Sequence, residues 1–276
     1  MNETSAAAGR KPFRFGVVAP LRTDLPTWRN RVRRIADSGY STLLMPDVPS
    51  MQPGPGIALA VAATLTNLRV GTWVYASPLR PAWNVALEAH SLSLFTDGRF
   101  ELGIGTGRPG IEDELRALGL PDLTPGERLT RVRETVTALR DLDGRDLHTP
   151  VVMAVRGPKA QALAAELADT VNFALMPEES GADAARLIRG FRSSRDVELA
   201  LHVPVVGDGV APFMAPPDTD PAALRALNSL AVLPGDPAAA IDEIQRRREE
   251  FGFTYFVFGA DFADTLAPVV AALAGS

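Results

Sequence analysis

Thr96–Gly107, TDGRFELGIGTG, is the stretch whose reading decides the fold. Asp97-Gly98 is a tight-turn pair, because glycine enters φ > 0 without steric cost. Phe100, Leu102 and Ile104 then alternate with small or polar positions, as a strand does. Gly103, Gly105 and Gly107 leave the tip of that strand without side-chain bulk, so backbone there can lie against something flat. Upstream, Pro81–Phe95 carries Val85, Leu87, Ala89, Leu92 and Leu94 among few charges, which predicts a buried helix. A helix feeding a strand with a bare C-terminal tip is the first candidate for an active-site wall.

The same alternation runs outward in both directions. Further strands are predicted at Phe13–Ala19, Thr42–Met45, Leu68–Ala76, Val151–Val155, Thr170–Leu175, Val197–Val206 and Thr254–Phe258. Helices fall between them. One carries Trp28, Val32 and Ile35 on a face and closes at Gly39; others cover Ile57–Thr66, Lys159–Ala168, Ala184–Phe191 and Leu266–Leu273. Thr124-Pro125-Gly126-Glu127 is a capping box with proline at the first helical position, ahead of Leu129, Val132, Val136 and Leu139. Asp236-Pro237 opens the last long helix, with Ile241, Ile244 and Phe251 inward and Arg246–Glu250 as a solvated charged side. Met51–Gly56 and Pro212–Pro221 read as loops. Eight near-continuous apolar strands, each followed by a helix, predict an α/β chain of the (β/α)8 TIM-barrel class. An open doubly wound sheet is the competing arrangement. Residues 13–276 are then one barrel domain behind a polar tail of residues 1–12.

Composition limits the function classes. A net charge of −5 with interspersed signs and no basic stripe argues against nucleic acid. With no cysteine in 276 residues there are no disulfides or thiolate metal sites, and no His/Glu cluster has metal-ligand spacing. The first residues lack the apolar core of a signal peptide, and no run is long enough to span a bilayer, so no membrane role and a cytoplasmic location are expected.

In such a barrel the chemistry lies where strands end. The residues to weigh are Ala19-Pro20, Asp47, Ala76-Ser77, Gly105-Thr106-Gly107-Arg108, Arg156-Gly157-Pro158-Lys159, Met176-Pro177, Gly207-Asp208 and Gly259–Asp261. They offer little acid–base machinery, and His90, His148 and His202 read as structural or solvated. No G-x-S-x-G nucleophile elbow is present. Arg156 and Lys159 flank a helix start, where free N–H groups suit phosphate, although a solvated turn is the equal alternative. A bound cofactor that carries the reaction fits this inventory better than side-chain catalysis.

Four stretches resemble the luciferase-like flavin and deazaflavin monooxygenase family, in particular its coenzyme F420 branch. They are GYSTLLMPD (Gly39–Asp47), Leu68–Gly107 nearly throughout, GPKAQALAAELADTVNF (Gly157–Phe173) and LPGDPAAAIDEIQRRREEFGFTYFVF (Leu233–Phe258), about half the chain in order. The resemblance implies a barrel holding an isoalloxazine or deazaflavin ring at its C-terminal face. Asp47 would lie near the ring as the catalytic acid. Ala76 and Ser77 would hold a bulge behind it, which the family often makes with a non-prolyl cis peptide. Gly105, Thr106, Gly107 and Arg108 would line the ring or its ribityl chain, and Gly157 and Lys159 the phosphate. The implied activity is F420-dependent hydride transfer to a small organic substrate. Alternatives are an FMNH2-dependent monooxygenase fed by a partner reductase, or a member without cofactor acting as a cofactor-free enzyme or binding protein. A homodimer is the expected assembly.

Two departures stand out. Val48 follows the strand-two acid where many F420-dependent relatives have His, and it neither donates a proton nor bonds a ring carbonyl. The connection before strand five, Asp141–Pro150, is shorter than the family's usual insertion, which predicts a missing lid or cofactor-tail contact.

Overall fold

Eight parallel strands close on themselves: β1 (Arg14–Val18), β2 (Thr42–Met45), β3 (Arg69–Thr72), β4 (Phe100–Gly105), β5 (Val151–Val155), β6 (Thr170–Phe173), β7 (Glu198–Val203) and β8 (Phe253–Gly259). The computed structural model describes residues 11–276; of the expected tail, residues 1–10 lie outside the described residues. The strand order is β3-β2-β1-β8-β7-β6-β5-β4, and Val70↔Phe100 with Gly71↔Glu101 pairs the two ends. This is the predicted (β/α)8 barrel, and a closed sheet leaves no open edge.

The helices are α1 (Leu25–Asp37), α2 (Pro55–Leu65), α3 (Ala82–Phe95), α4 (Ile111–Ala117), α5 (Pro125–Asp143), α6 (Pro158–Leu167), α7 (Gly181–Gly190), α8 (Pro221–Ala226), α9 (Pro237–Phe251) and α10 (Ala263–Leu273). The capping box of α5 is formed in both directions, with Thr124 accepting from Glu127 N and Glu127 accepting from Thr124 N. Outward strand residues such as Phe15, Leu43, Phe100, Ile104, Val171, Phe256 and Phe258 form the main core with Trp28, Val32, Val85, Val136 and Leu139 of the helices. The short α4 and α8 were not legible as helices, having one or two turns each.

Several expectations change. The third strand is broken: Leu68–Ala76 becomes β3, then a non-prolyl cis bond at Trp73–Val74, then a Tyr75–Ala76 segment paired to Ile104–Gly105. Pro204 interrupts the seventh, and Val205–Val206 joins a small separate sheet with Gly209–Val210 and Val232–Leu233. α3 is not buried all round, because Trp83, Leu87, Leu94 and Phe95 are exposed, Phe95 at 88%. Arg247 is not solvated; its guanidinium is buried and donates to the Leu230 and Val232 carbonyls.

The connection before strand five is short, Gly144–Pro150 after α5 ends. It enters β5 at its N-terminal end, Val151, where Asp143 accepts from Thr149 N at 2.8 Å and from Thr149 Oγ1, and also meets His90 at 2.9 Å. Topology therefore overturns the expected loss of a lid. This connection lies at the opposite end of the barrel from the strand tips, and its length sets nothing there.

Candidate active site

Inside the barrel, alternation gives every other strand residue to the interior. At the N-terminal end this interior is filled. Arg14 lies 3.5 Å over the Tyr255 ring and pairs with Glu101 at 2.8 Å and Glu198 at 2.6 Å. The Tyr255 hydroxyl donates to Glu101 at 2.8 Å, and Thr170 Oγ1 donates to Glu198. Burial first, and then the Glu101 carboxylate, raises the Tyr255 phenol well above its usual pKa. The plug is neither a site nor a channel; its polar groups satisfy one another.

Toward the C-terminal end the interior side chains shrink. Gly105, Ala154, Asn172 and Ala200 follow one another across β4, β5, β6 and β7 in a single register row. Thr170 faces the interior plug, so Asn172, two residues on, faces inward too. Its side chain is buried and Oδ1 has no hydrogen-bond partner. Buried polar atoms are rarely left so, and an unmet acceptor costs about 1–3 kcal/mol.

Beside this row lies an aromatic floor. The Trp73 and His202 rings lie edge to edge, with centroids 6.3 Å apart and planes 8° from parallel. Trp73 Nε1 donates to His202 Nδ1 at 3.0 Å, so Nε2 carries the proton and faces the Met214 carbonyl at 3.3 Å. Burial pushes the imidazole down to about 4. His202 is thus neutral, with both nitrogens engaged, and is no proton donor near pH 7.

Asp47 is not a free acid either. Its carboxylate is buried and accepts from Arg80, Nη2 to Oδ1 at 2.7 Å and Nε to Oδ2 at 3.3 Å, and from Ala76 N at 3.4 Å. Arg80 in turn lies 4.9 Å from the Tyr75 ring centroid, and Tyr75 donates to Glu88 at 2.6 Å. Asp47 thereby ties the end of β2 to the Trp73–Ala76 bulge. Ser77 points away, donating to the Arg128 carbonyl at 2.9 Å. The cis bond stands three residues before the Ala76-Ser77 position to which the resemblance pointed.

Close packing also asks for glycine at these positions. A Cβ on Gly105 would meet Val74 Cγ2 at 3.2 Å and the Ala154 Cβ at 3.3 Å; one on Gly103 would strike the Thr72 carbonyl. Gly107 has φ +98°, and a Cβ there would meet Ile111 at 2.7 Å. These residues let the bulge and α4 close against β4. Arg108 is engaged by Glu114 at 2.6 Å, and Thr106 is partly exposed at the tip.

Across β5, Arg156 is held by Glu179, Nη2 to Oε1 at 2.7 Å, and that bond keeps the Glu179 carboxyl below its ordinary range. Lys159 has no such partner. It sits in the first turn of α6, whose N-cap Gly157 offers no side-chain acceptor and has open space where a Cβ would be. The helix start therefore presents free N–H groups and one free ammonium to solvent. No group of three or more potential metal ligands occurs among the described residues.

The interior row, the paired Trp73 and His202 rings and the start of α6 stand at the same end of the barrel. Residues 12–208 match the model of the luciferase-like monooxygenases. The chain belongs to that family. The chain is thus an enzyme of the oxidoreductase/monooxygenase kind that this family comprises. No curated protein matches it by sequence. Solved structures do match its fold. The coenzyme F420-dependent tetrahydromethanopterin reductase from Methanopyrus kandleri is 16% identical with a TM-score of 0.69, over 95% of this chain and 98% of that one. EDTA monooxygenase from Chelativorans sp. BNC1 is 11% identical with a TM-score of 0.70, over 95% and 94%. The oxygenating constituent of 3,6-diketocamphane monooxygenase from Pseudomonas putida, in complex with FMN, is 13% identical with a TM-score of 0.64, over 94% and 95%.

Asn172, Trp73, Arg80 and His202 are the residues that the sequence alone did not bring to the site. An amide inside the apolar run TVNF was the available signal for Asn172.

Proposed function

We propose that this luciferase-like barrel binds a ring cofactor, coenzyme F420 in the first reading, and acts on a small organic substrate. The observation that carries the reading is the orphaned Asn172 Oδ1 in a row of small residues, an acceptor suited to a ring N–H. When bound, the cofactor would supply hydride chemistry. The chain's own residues do the rest. Ala76, anchored by Asp47, and the Trp73–Val74 turn would back the ring, Thr106 and Arg108 would flank it, and Gly157 and Lys159 would hold a phosphate. Trp73 and Met214, packed in one interior cluster, would keep water from the ring edge. Resemblance of Leu68–Gly107 to the F420 branch supports the choice, while the fold is shared with an F420-dependent reductase and an FMN-bound monooxygenase alike.

One observation favours FMN as the second reading. Asp47 is neutralised by Arg80, His202 is locked neutral and Val48 carries no proton, so no free proton donor stands at the floor. A monooxygenase using reduced FMN from a partner reductase makes less demand on such a group. Titration with F420 and FMN, followed by fluorescence quenching, tests both. We expect F420 to bind in the micromolar range. Failure of both at roughly millimolar concentration, where binding is worth only about 4 kcal/mol, overturns the two readings together.

We also propose a homodimer in the cytoplasm. No helix among the described residues is long and apolar enough to cross a membrane. Ile57 of α2 and Trp83, Leu87, Leu94 and Phe95 of α3 are exposed, while Glu88 and His90 of α3 are engaged internally. Such an uncharged face meets its own copy across a two-fold axis without like-charge repulsion. Sedimentation should give a dimer, and a monomeric Phe95→Glu variant; a wild-type monomer overturns this assembly.

A further inference from the structure

At the barrel mouth, between the ends of β1 and β8, lies a cleft of about 230 Å³ lined by Pro20, Arg22, Arg31, Pro212, Phe213, Ala260 and Asp261. Pro20 and Arg22 follow β1, Arg31 comes from α1, and Ala260-Asp261 follow β8. Phe213 neighbours Met214, whose carbonyl faces His202, so one loop separates this cleft from the aromatic floor. Among the described residues the side chains of Arg22 and Arg31 have no hydrogen-bond or ion-pair partner, and Asp261 pairs with neither. Arg22 has only the Phe213 ring, 6.0 Å from its guanidinium carbon. Most other mouth cations are engaged: Arg80 by Asp47, Arg108 by Glu114, Arg156 by Glu179.

We infer that this cleft is the subsite for the carboxylate of an acidic organic substrate. The assignment rests on the reading above only in placing the reaction at this end of the barrel. A guanidinium fork matches a carboxylate in a bidentate way, and two unengaged forks leave the lining with a net positive charge against one carboxylate. Pro20, Pro212 and Phe213 supply an apolar wall for the carbon skeleton next to the acid. The volume decides against a whole ring cofactor, since pockets for drug-sized ligands run from about 300 Å³ upward. The cleft takes a headgroup and a short body. The open start of α6 stands across the mouth, with β7 and β6 between β8 and β5, so a cofactor phosphate there would not compete for these arginines.

The probe is 4-fluorophenylacetate, with 4-fluorophenylacetamide as its neutral counterpart and inorganic phosphate as a competitor. Binding is read by fluorine NMR at low salt, on the full chain. Wild type should bind the acid about tenfold or more tighter than the amide, and the Arg22→Gln/Arg31→Gln double variant should lose that preference while melting like wild type. Equal binding of acid and amide, no acid binding up to about 10 mM (a gain of under about 3 kcal/mol), or an unchanged double variant overturns the assignment. Displacement of the acid by phosphate at equal concentration also overturns it, in favour of a bare-anion site. F420 and FMN are titrated into the same two proteins. A tenfold fall in cofactor affinity in the double variant would give the arginines to the cofactor and overturn the subsite. A wild type that binds neither cofactor yet keeps its acid preference sinks the proposed function and leaves the subsite standing.

Discussion

The two ends of the barrel interior obey the same alternation and reach opposite outcomes. At the N-terminal end, Arg14, Glu101, Glu198, Thr170 and Tyr255 fill the space and satisfy one another. At the C-terminal end, the row carries the small residues Gly105, Ala154 and Ala200, and Asn172 keeps an acceptor unmet. A polar group that is buried and paired serves the fold. One that is buried and unpaired costs stability and is tolerable only if something else meets it. The contrast makes opposite demands on mutation.

The largest effect belongs at the filled end. Glu101→Ala leaves the Tyr255 hydroxyl without its carboxylate acceptor and Arg14 with Glu198 alone, and should destabilise by about 3 kcal/mol. Urea and thermal unfolding measure it; a cost below about 1 kcal/mol would mean that the plug is spare and that the contrast fails.

His202 comes next. The folded protein holds its imidazole neutral down to about 4, against 6.5 when free, whereas the unfolded chain binds the proton sooner. The stability linked to this group is present above pH 6.5 and lost as pH falls through 4, at most about 3 kcal/mol at 1.4 kcal/mol per unit. Urea midpoints for wild type and His202→Gln, taken between pH 7.5 and 4.5, read the difference in slope. Parallel pH profiles would show an imidazole open to water rather than locked to Trp73.

Asn172→Leu sharpens the contrast, because its two effects have opposite sign. Removing an unmet acceptor at similar volume should leave stability unchanged or raise it by about 1 kcal/mol, while cofactor affinity falls about tenfold. Calorimetry and fluorescence titration on the same sample decide it. A destabilised protein with unchanged affinity would place Asn172 with the structural end.

Lys159→Ala should have the smallest effect. It weakens phosphate binding by about 1 kcal/mol at low salt and less at high salt, where screening already acts. Because a cation at a helix start opposes the dipole, stability should rise by a few tenths of a kcal/mol. A loss of affinity independent of ionic strength would point to packing of α6 instead.

Local signals sufficed for much of the architecture. Asp97-Gly98, the Thr124–Glu127 box and the apolar runs placed the elements, and their order implied the barrel, because turn chemistry and periodicity act within a few residues. Asp47 and Ala76-Ser77 were named only as candidates, through resemblance. Their bonding was not legible: the Arg80 that neutralises Asp47 lies 33 residues away in sequence, and the Arg128 that receives Ser77 lies 51 away. The glycines of β4 suggested an empty wall in sequence, whereas Val74, Ala154 and Ile111 occupy the space beside them.

By itself, then, the sequence determined the class of fold and the lack of cysteine or clustered histidine machinery. Those properties follow from composition and short-range pattern. Tertiary structure alone decided which polar groups are spent and which are left open. Asp47 is spent on Arg80, His202 on Trp73 and Met214, and Glu101 on Arg14 and Tyr255, while Asn172, Lys159, Arg22 and Arg31 are unspent. The physical reason is that a hydrogen bond or ion pair is made between residues far apart in the chain, and closure of the barrel sets which of them meet.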